Sequence, residues 1–124
     1  MKSSVMGLLG YDMIFMQEPD FLRVTVCGTY NLWRSKRAWM RICKEAKRRG
    51  VSKVLVDGHQ VKGGPSPEEL YEEGLYVAAH VPLKIALLRP GTKEHFGEWT
   101  AVQGGADVMI FEGEPAAIAW LLRG

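Results

Sequence analysis

The sequence predicts one α/β domain with a mixed, mostly parallel sheet of about five strands and about four helices. Segments with strand character alternate with segments of helical spacing along the 124 residues, a pattern typical of parallel strands covered by helices. Val54, Leu55 and Val56 form a continuous apolar run, as expected of a strand that is buried on both faces. A strong helix start follows this strand, and we expect the sheet to be organised around the stretch 51–69.

The composition indicates an ordinary water-soluble domain. Hydrophobic residues make up 47% of the chain, charged residues 24%, and the net charge is +2. No apolar run is long enough to cross a membrane, and the apolar stretch near the amino terminus is too short for a secretory signal. We therefore expect a cytoplasmic protein without membrane insertion, in which residues 1–10 are an extension and residues 11–124 are the domain.

The first elements are a hairpin and a long helix. Tyr11–Met16 and Phe21–Gly28 have strand character and flank a four-residue loop of turn formers. Asn31 then begins a helix that continues to Arg49, and Gly50 occupies the position where a left-handed residue ends helices. Leu32, Trp39, Cys43 and Ala46 recur at helical spacing and predict its buried face.

Strands and helices alternate through the rest of the chain. Lys53–Asp57 is predicted to be a buried strand. Ser66, Pro67 and Glu69 predict a helix start with a capping box, and this helix is expected to end near His80. Further strands are predicted at 83–88 and 107–111, and further helices at 92–103 and 115–122.

A family resemblance covers nearly the whole chain from Tyr11 onward. The order of elements, the VLVD strand with its capped helix, the KIALL strand and the closing VMIFEGEPAAIAWL resemble the STAS-like fold. The sequence is most similar to small, stand-alone, uncharacterised bacterial proteins of this type. The same fold occurs in bacterial anti-sigma-factor antagonists and in the cytoplasmic tails of sulfate transporters, so the resemblance implies a regulatory or protein-interaction module.

The resemblance does not extend to the regulatory serine of the anti-sigma-factor antagonists. In those proteins a kinase phosphorylates a serine within an Asp-Ser-Ser-Gly motif that follows the strand-ending aspartate, and the added charge disrupts partner binding. Here the matching positions are Asp57, Gly58, His59 and Gln60. The phosphorylation switch is therefore not implied for this chain. Ser66, the nearest hydroxyl, is explained by helix capping.

The loop after the VLVD strand is the predicted binding site, because ligands in such sheets bind beyond the carboxyl ends of the strands. Asp57 and His59 could form an acid–histidine pair, and glycine amides at a helix start could attract an anion, although Glu68 and Glu69 would oppose a phosphate there. The candidate binding residues are Asp57, Gly58, His59, Gln60, Gly63, Gly64 and Ser66.

No catalytic or cofactor site is predicted elsewhere. The sequence contains no nucleophile motif, and its three histidines lack metal-ligand spacing. Cys27 and Cys43 lack a CxxC pattern and are expected to be buried thiols. We therefore expect no catalytic residues, no metal and no cofactor.

The first helix carries a basic face that is either a solvated surface or an interaction surface. At 100° per residue, basic side chains align opposite the buried face; the predicted interaction face comprises Trp33, Arg34, Arg37, Arg41, Lys44 and Arg48. A net charge of only +2 argues against nucleic acid. Acidic residues cluster on the next helix at Glu68, Glu69, Glu72 and Glu73. This opposed charge favours an unidentified protein partner or a homodimer.

The sequence supports three hypotheses about function. The leading hypothesis is a non-enzymatic STAS-like module that binds a protein, or itself, through the loop and the adjacent helix faces. The alternative is a binder of a small ligand, apolar, acyl or nucleotide, sheltered between helices and sheet. The aromatic residues Tyr71, Tyr76, Phe96 and Trp99 and six methionines support this alternative, although such residues also serve as ordinary core. The third is an enzyme that uses Asp57 and His59.

Overall fold

The computed structural model describes residues 3–8, 11–89 and 104–123. These residues form one sheet with helices on both faces. The strands are β1 (Ser3–Leu8), β2 (Tyr11–Gln17), β3 (Leu22–Thr29), β4 (Lys53–Lys62), β5 (Lys84–Leu88) and β6 (Asp107–Phe111). The described helices are α1 (Leu32–Arg49), α2 (Pro67–His80) and α3 (Glu114–Leu122).

The sheet is mixed, as the sequence predicts. Its strands lie in chain order, with β1–β2 and β2–β3 antiparallel and the pairs from β3 to β6 parallel. The segment 1–10, which the sequence predicts as an extension, supplies β1 at the sheet edge. Ser3, Ser4 and Gly7 weaken the apolar alternation there, so this strand gives little sequence signal. The predicted helix 92–103 lies outside the described residues.

Two apolar layers enclose the sheet. On one face, Val24, Val56 and Ile85 pack with Trp39 and Ile42 of α1 and with residues of α2. On the other face, Leu55, Ala86 and Leu88 pack with Ala117 and Leu121 of α3. β4 and β5 therefore contribute alternate side chains to both layers, which explains their continuous apolar sequences.

The termini of the first two helices follow the sequence signals. The Asn31 side chain accepts a hydrogen bond from the Arg34 amide at 3.0 Å, and Gly50 ends α1 with φ 70°. At α2, Ser66 Oγ accepts from the Glu69 amide at 3.2 Å, while Glu69 Oε1 accepts from the Ser66 amide at 2.9 Å. The predicted capping box is confirmed.

The two cysteines are not buried, so that prediction is wrong. Both side chains are partly exposed. Cys27 alternates with the buried Val26, so it lies on the opposite face of β3, and its Sγ donates to Gln60 Oε1 at 3.1 Å. Cys43 lies at the edge of the core, where burial raises the pKa of its thiol.

The Ser66→Ala protein tests the capping box. It loses the side-chain acceptor for the Glu69 amide, so the free energy of unfolding should fall by about 1 kcal/mol. Urea denaturation gives this quantity. Ser52→Ala is the control, because Ser52 is exposed and its replacement should change stability by no more than about 0.5 kcal/mol. Equal stabilities for the two variants would contradict the assigned cap.

Candidate functional site

The predicted binding loop begins later than expected, because β4 does not end at Asp57. It continues to Lys62 alongside the final residues of β3. Thr25 pairs with Asp57 and Cys27 pairs with Gln60. One residue of β3 therefore faces two residues of β4, which makes a β-bulge at Gly58 and His59. The prediction of a loop from Asp57 is wrong, since backbone pairing with β3 overrides the turn-forming character of these residues.

The bulge lies where β4 separates from β5. Asp57 and Leu88 are the last residues to pair between the two strands. A Cβ atom at Gly58 would lie only 3.1 Å from the Leu88 carbonyl oxygen, which is tighter than an ordinary contact. The absence of a side chain at Gly58 therefore permits this close approach, and the bulge redirects the neighbouring side chain, as bulges near binding sites often do.

Asp57 fixes the position of His59. Asp57 Oδ1 accepts from the His59 amide at 3.0 Å and lies 2.7 Å from His59 Nδ1. An ionised carboxylate can only accept hydrogen bonds, so the ring hydrogen of this contact belongs to Nδ1. Nε2 is then available for another contact. The His59 side chain is 41% exposed.

A pocket of about 350 Å³ opens beside this histidine. It lies between the face of the sheet that α1 and α2 cover and the amino-terminal parts of those helices, beyond the paired ends of β4 and β5. Its lining residues are Tyr11, Val26, Tyr30, Ser35, Ala38, Trp39, Ile42, Val56, Gly58, His59, Val61, Gly63, Gly64, Pro65, Leu70, Leu87 and Arg89. This is the location expected for a ligand in a sheet of parallel strands.

The predicted binding residues divide into two groups. Gly58, His59, Gly63 and Gly64 line the pocket. The other three serve neighbouring groups instead: Asp57 holds His59, Gln60 accepts from Cys27, and Ser66 caps α2. Gly63 and Gly64 are exposed, and together with the partly buried Pro65 they form what we call the pocket rim. Gly63 has φ 74°, a conformation that favours glycine.

A buried carboxylate, Glu73 of α2, lies behind two residues of the pocket lining. Its oxygens accept from the Tyr30 hydroxyl at 2.8 Å and the Trp39 indole at 2.9 Å. Both donors line the pocket. Glu73 is one of the four glutamates predicted to cluster on this helix and to favour contact with a protein partner, but it is buried and cannot contribute to such a surface. Its position between Leu70 and Val77 on the inward face was the signal.

Glu73 also affects the ionisation of Tyr30. Burial raises the pKa of the Tyr30 hydroxyl above its usual 10.0, and the charge and hydrogen bond of Glu73 raise it further. The cation of Arg89 lowers the pKa of the same hydroxyl. Arg89 follows β5 directly. The rule that ligands bind beyond the carboxyl ends of parallel strands, which pointed to the residues after β4, would therefore also have pointed to Arg89.

The basic face of α1 is separate from the pocket, and none of its six residues lines the cavity. Trp33 is 66% exposed, and the Arg37 guanidinium lies 5.9 Å from the centre of its ring. Arg48 is not a free charge, because it pairs with the buried Glu45 at 2.5 Å. Hydrogen bonds from Arg48, and then from Arg49, lower the pKa of Glu45 to about 2.

Within the residues that the structure describes, no three histidine, cysteine or acidic side chains are grouped so that they could hold a metal ion. No described helix is both long enough and apolar enough to cross a membrane.

Comparison with solved structures identifies the fold. The chain is similar to an uncharacterised protein of the DUF3478 family from Shewanella loihica PV-4, described as having a SpoIIAA-like fold. The TM-score is 0.54, the sequence identity is 16%, and the similarity covers 90% of this chain and 93% of the other. The chain has a SpoIIAA-like fold. The STAS-like architecture predicted from the sequence is thereby confirmed.

The comparisons do not extend beyond the fold. No family model matches this sequence, and no curated protein matches it. A SpoIIAA-like fold does not fix an activity, because one fold carries many functions. The function must therefore be argued from the pocket and the surfaces around it.

The pKa of Tyr30 gives a pH test of the Glu73 contact. Above about pH 10 the unfolded chain loses the Tyr30 proton while the folded chain keeps it, so stability should fall as the pH rises. The loss cannot exceed about 1.4 kcal/mol per pH unit and should be smaller, because the Tyr30 side chain is only partly buried.

Denaturant unfolding between pH 9 and 11.5, compared for the wild type and Tyr30→Phe, isolates this contribution from other titrating groups. The stability difference between the two proteins should change steadily above about pH 10. Parallel pH profiles would show that Tyr30 is not held as described.

Proposed function

We propose that this chain is a binding protein that holds a small amphipathic molecule in the pocket beside His59. The observation that carries this proposal is the pocket itself. Its volume of about 350 Å³ lies within the range of about 300–1,000 Å³ that is typical of small-molecule sites. Its location beyond the strand ends supports the same function.

The walls of the pocket suit an apolar body. Val56 and Leu87 rise from the sheet, Trp39 and Ile42 face them from α1, and Leu70 contributes from α2. These are mostly buried side chains fixed in the core. A ligand that enters between them removes apolar surface from water, at about 25 cal/mol per Å².

The volume also limits the size of the ligand. At the roughly 30 Å³ that a molecule of liquid water occupies, the pocket takes on the order of a dozen non-hydrogen atoms. A short acyl or alkyl compound has this size, whereas a whole nucleotide is larger. Within the small-ligand hypothesis, the pocket therefore favours an apolar or acyl ligand.

His59 provides a polar group in the pocket lining. His59 presents its ring beside the rim, and Asp57 holds that ring in place. Pockets with apolar walls and a few fixed polar groups commonly orient a ligand by its polar end. The proposal is one of binding, and it assigns no reaction to Asp57 and His59.

The basic face of α1 supports a second function, association with a protein. Trp33 is the most exposed large apolar side chain of the described residues, and exposed tryptophan is enriched at binding hot spots. Arg34, Arg37, Arg41 and Lys44 carry positive charge along the same helix. Glu68 and Glu72 are exposed on α2. Glu72 already pairs with Lys36 of α1 at 2.7 Å, so Glu68 is the acidic residue that a second copy of the chain would offer to the basic face.

The ligand proposal is tested by closing the pocket rim. Gly64 is exposed and has open space where a side chain would begin, so Gly64→Phe should obstruct the pocket without straining the fold. Titration of the wild type with decanol should shift the indole NMR signal of Trp39 and leave that of Trp33 in place. We expect the variant to bind decanol at least about tenfold more weakly, which corresponds to loss of the burial of about two methylene groups.

Gly113→Phe is the matched control. Gly113 is also exposed with open space around it, but it precedes α3 on the other side of the sheet. Its affinity for decanol should equal that of the wild type. If decanol, decanoate and decyl phosphate all fail to shift the Trp39 indole signal of the wild type, the ligand proposal is overturned.

The association proposal is tested by sedimentation velocity. The wild type should form dimers at low salt and dissociate as salt is raised, because screening weakens contacts between exposed charges. Reversal of charge in Arg37→Glu/Arg41→Glu should abolish the dimer. A wild type that stays monomeric at millimolar concentration and low salt would exclude association with itself.

A further inference from the structure

The pocket has polar groups that are already engaged within the protein. The Tyr11 hydroxyl lies 2.8 Å from Ser35 Oγ and accepts from the Asn31 amide at 3.2 Å. The Tyr30 hydroxyl and the Trp39 indole both donate to Glu73. An anionic ligand, which can only accept, could take the hydrogens of Tyr30 and Trp39 only by breaking their bonds to Glu73, which is costly.

Arg89 differs from these groups. Arg89 lines the pocket, and its charge acts on the hydroxyl of Tyr30 in the same lining. Among the described residues no carboxylate lies within 4.0 Å of its guanidinium. The lining itself contains no aspartate or glutamate. Arg89 therefore brings a positive charge and several hydrogen-bond donors to the cavity wall, without a counter-ion in the described part of the chain.

Glu73 is a carboxylate that acts on the same tyrosine as Arg89. It stands behind Tyr30 and Trp39, and each of its oxygens accepts a hydrogen bond from one of them. The charge of Glu73 raises the pKa of the Tyr30 hydroxyl, whereas the cation of Arg89 lowers it. Glu73 is therefore engaged by Tyr30 and Trp39 and does not form an ion pair with Arg89.

We propose that the pocket selects an amphiphile with a single anionic head, a carboxylate or a phosphate, which Arg89 binds while the apolar chain fills the space between Trp39 and Leu87. This inference rests on the proposed ligand-binding function and specifies the chemical class of the ligand. Planar guanidinium groups bind both kinds of anion through paired hydrogen bonds. The available volume suits a ten-carbon chain.

The test compares ligands that share a decyl chain and differ in the head group. Decanoate, decyl phosphate, decanol and decyltrimethylammonium are titrated below their micelle concentrations into the wild type, Arg89→Gln and Lys47→Gln. The Trp39 indole signal reports binding. Lys47→Gln is the matched control, because it removes one exposed positive charge from α1, outside both the pocket lining and the predicted interaction face.

We expect the wild type to bind at least one of the two anions about tenfold or more tightly than decanol, as for a hydrogen bond to a charged group. In Arg89→Gln the affinity for that anion should fall to that of decanol, while decanol binding is retained. In Lys47→Gln the preference should be unchanged. The tighter of the two anions identifies the head group. Higher salt should weaken anion binding to the wild type and leave decanol unaffected, a readout that does not depend on any variant.

Several outcomes would overturn the inference. Equal affinity of the wild type for decanol and both anions, or preference for decyltrimethylammonium, would remove the anion selectivity while leaving ligand binding intact. An equal loss of anion affinity in Lys47→Gln and Arg89→Gln would show a nonspecific effect of net charge. Absence of binding by every probe would overturn the proposed function and this inference together.

Discussion

The buried carboxylate of Glu73 is the interaction on which the arrangement of the pocket depends. It joins three elements, because it lies on α2 and accepts hydrogen bonds from Trp39 of α1 and from Tyr30 after β3. A carboxylate that loses water must be fully hydrogen-bonded, and an unsatisfied one costs several kcal/mol. Any displacement of α2 relative to α1 would break one of these bonds. The two helices and the end of β3 are therefore held in register, and the cavity between them keeps its shape.

Local signals predicted most of the fold. Asn31, Gly50 and Ser66 mark helix ends through backbone groups within a few residues, and each acts as the sequence predicts. The alternating strands and helices gave the sheet type. The continuation of β4 was missed because it depends on pairing with β3, which is more than thirty residues away. Residue types near Gly58 favour a turn, and that preference was outweighed by tertiary hydrogen bonds.

The sequence predicted the location of the site but only some of its residues. The rule that ligands bind beyond strand ends led to His59 and the glycines of the rim, which the structure brings together. The sequence did not predict Glu73 and Tyr30 as site residues, because their roles come from the hydrogen bond that joins them. An isolated glutamate on a charged helix resembles a solvated residue, and its burial follows only once a tyrosine and a tryptophan are placed against it. Arg89 was within reach of the same rule applied to β5.

The bulge at Gly58 and His59 has a consequence for how this chain can vary. The extra residue is absorbed between two pairs that stay in register, Thr25 with Asp57 and Cys27 with Gln60. Loss of one residue there would leave a regular ladder, with every other strand residue opposite its present partner. In evolutionary terms, a single-codon insertion or deletion could create or remove the histidine-bearing bulge without altering the sheet. Relatives with the same architecture could thus differ at this one point of the pocket wall while sharing all the pairing around it.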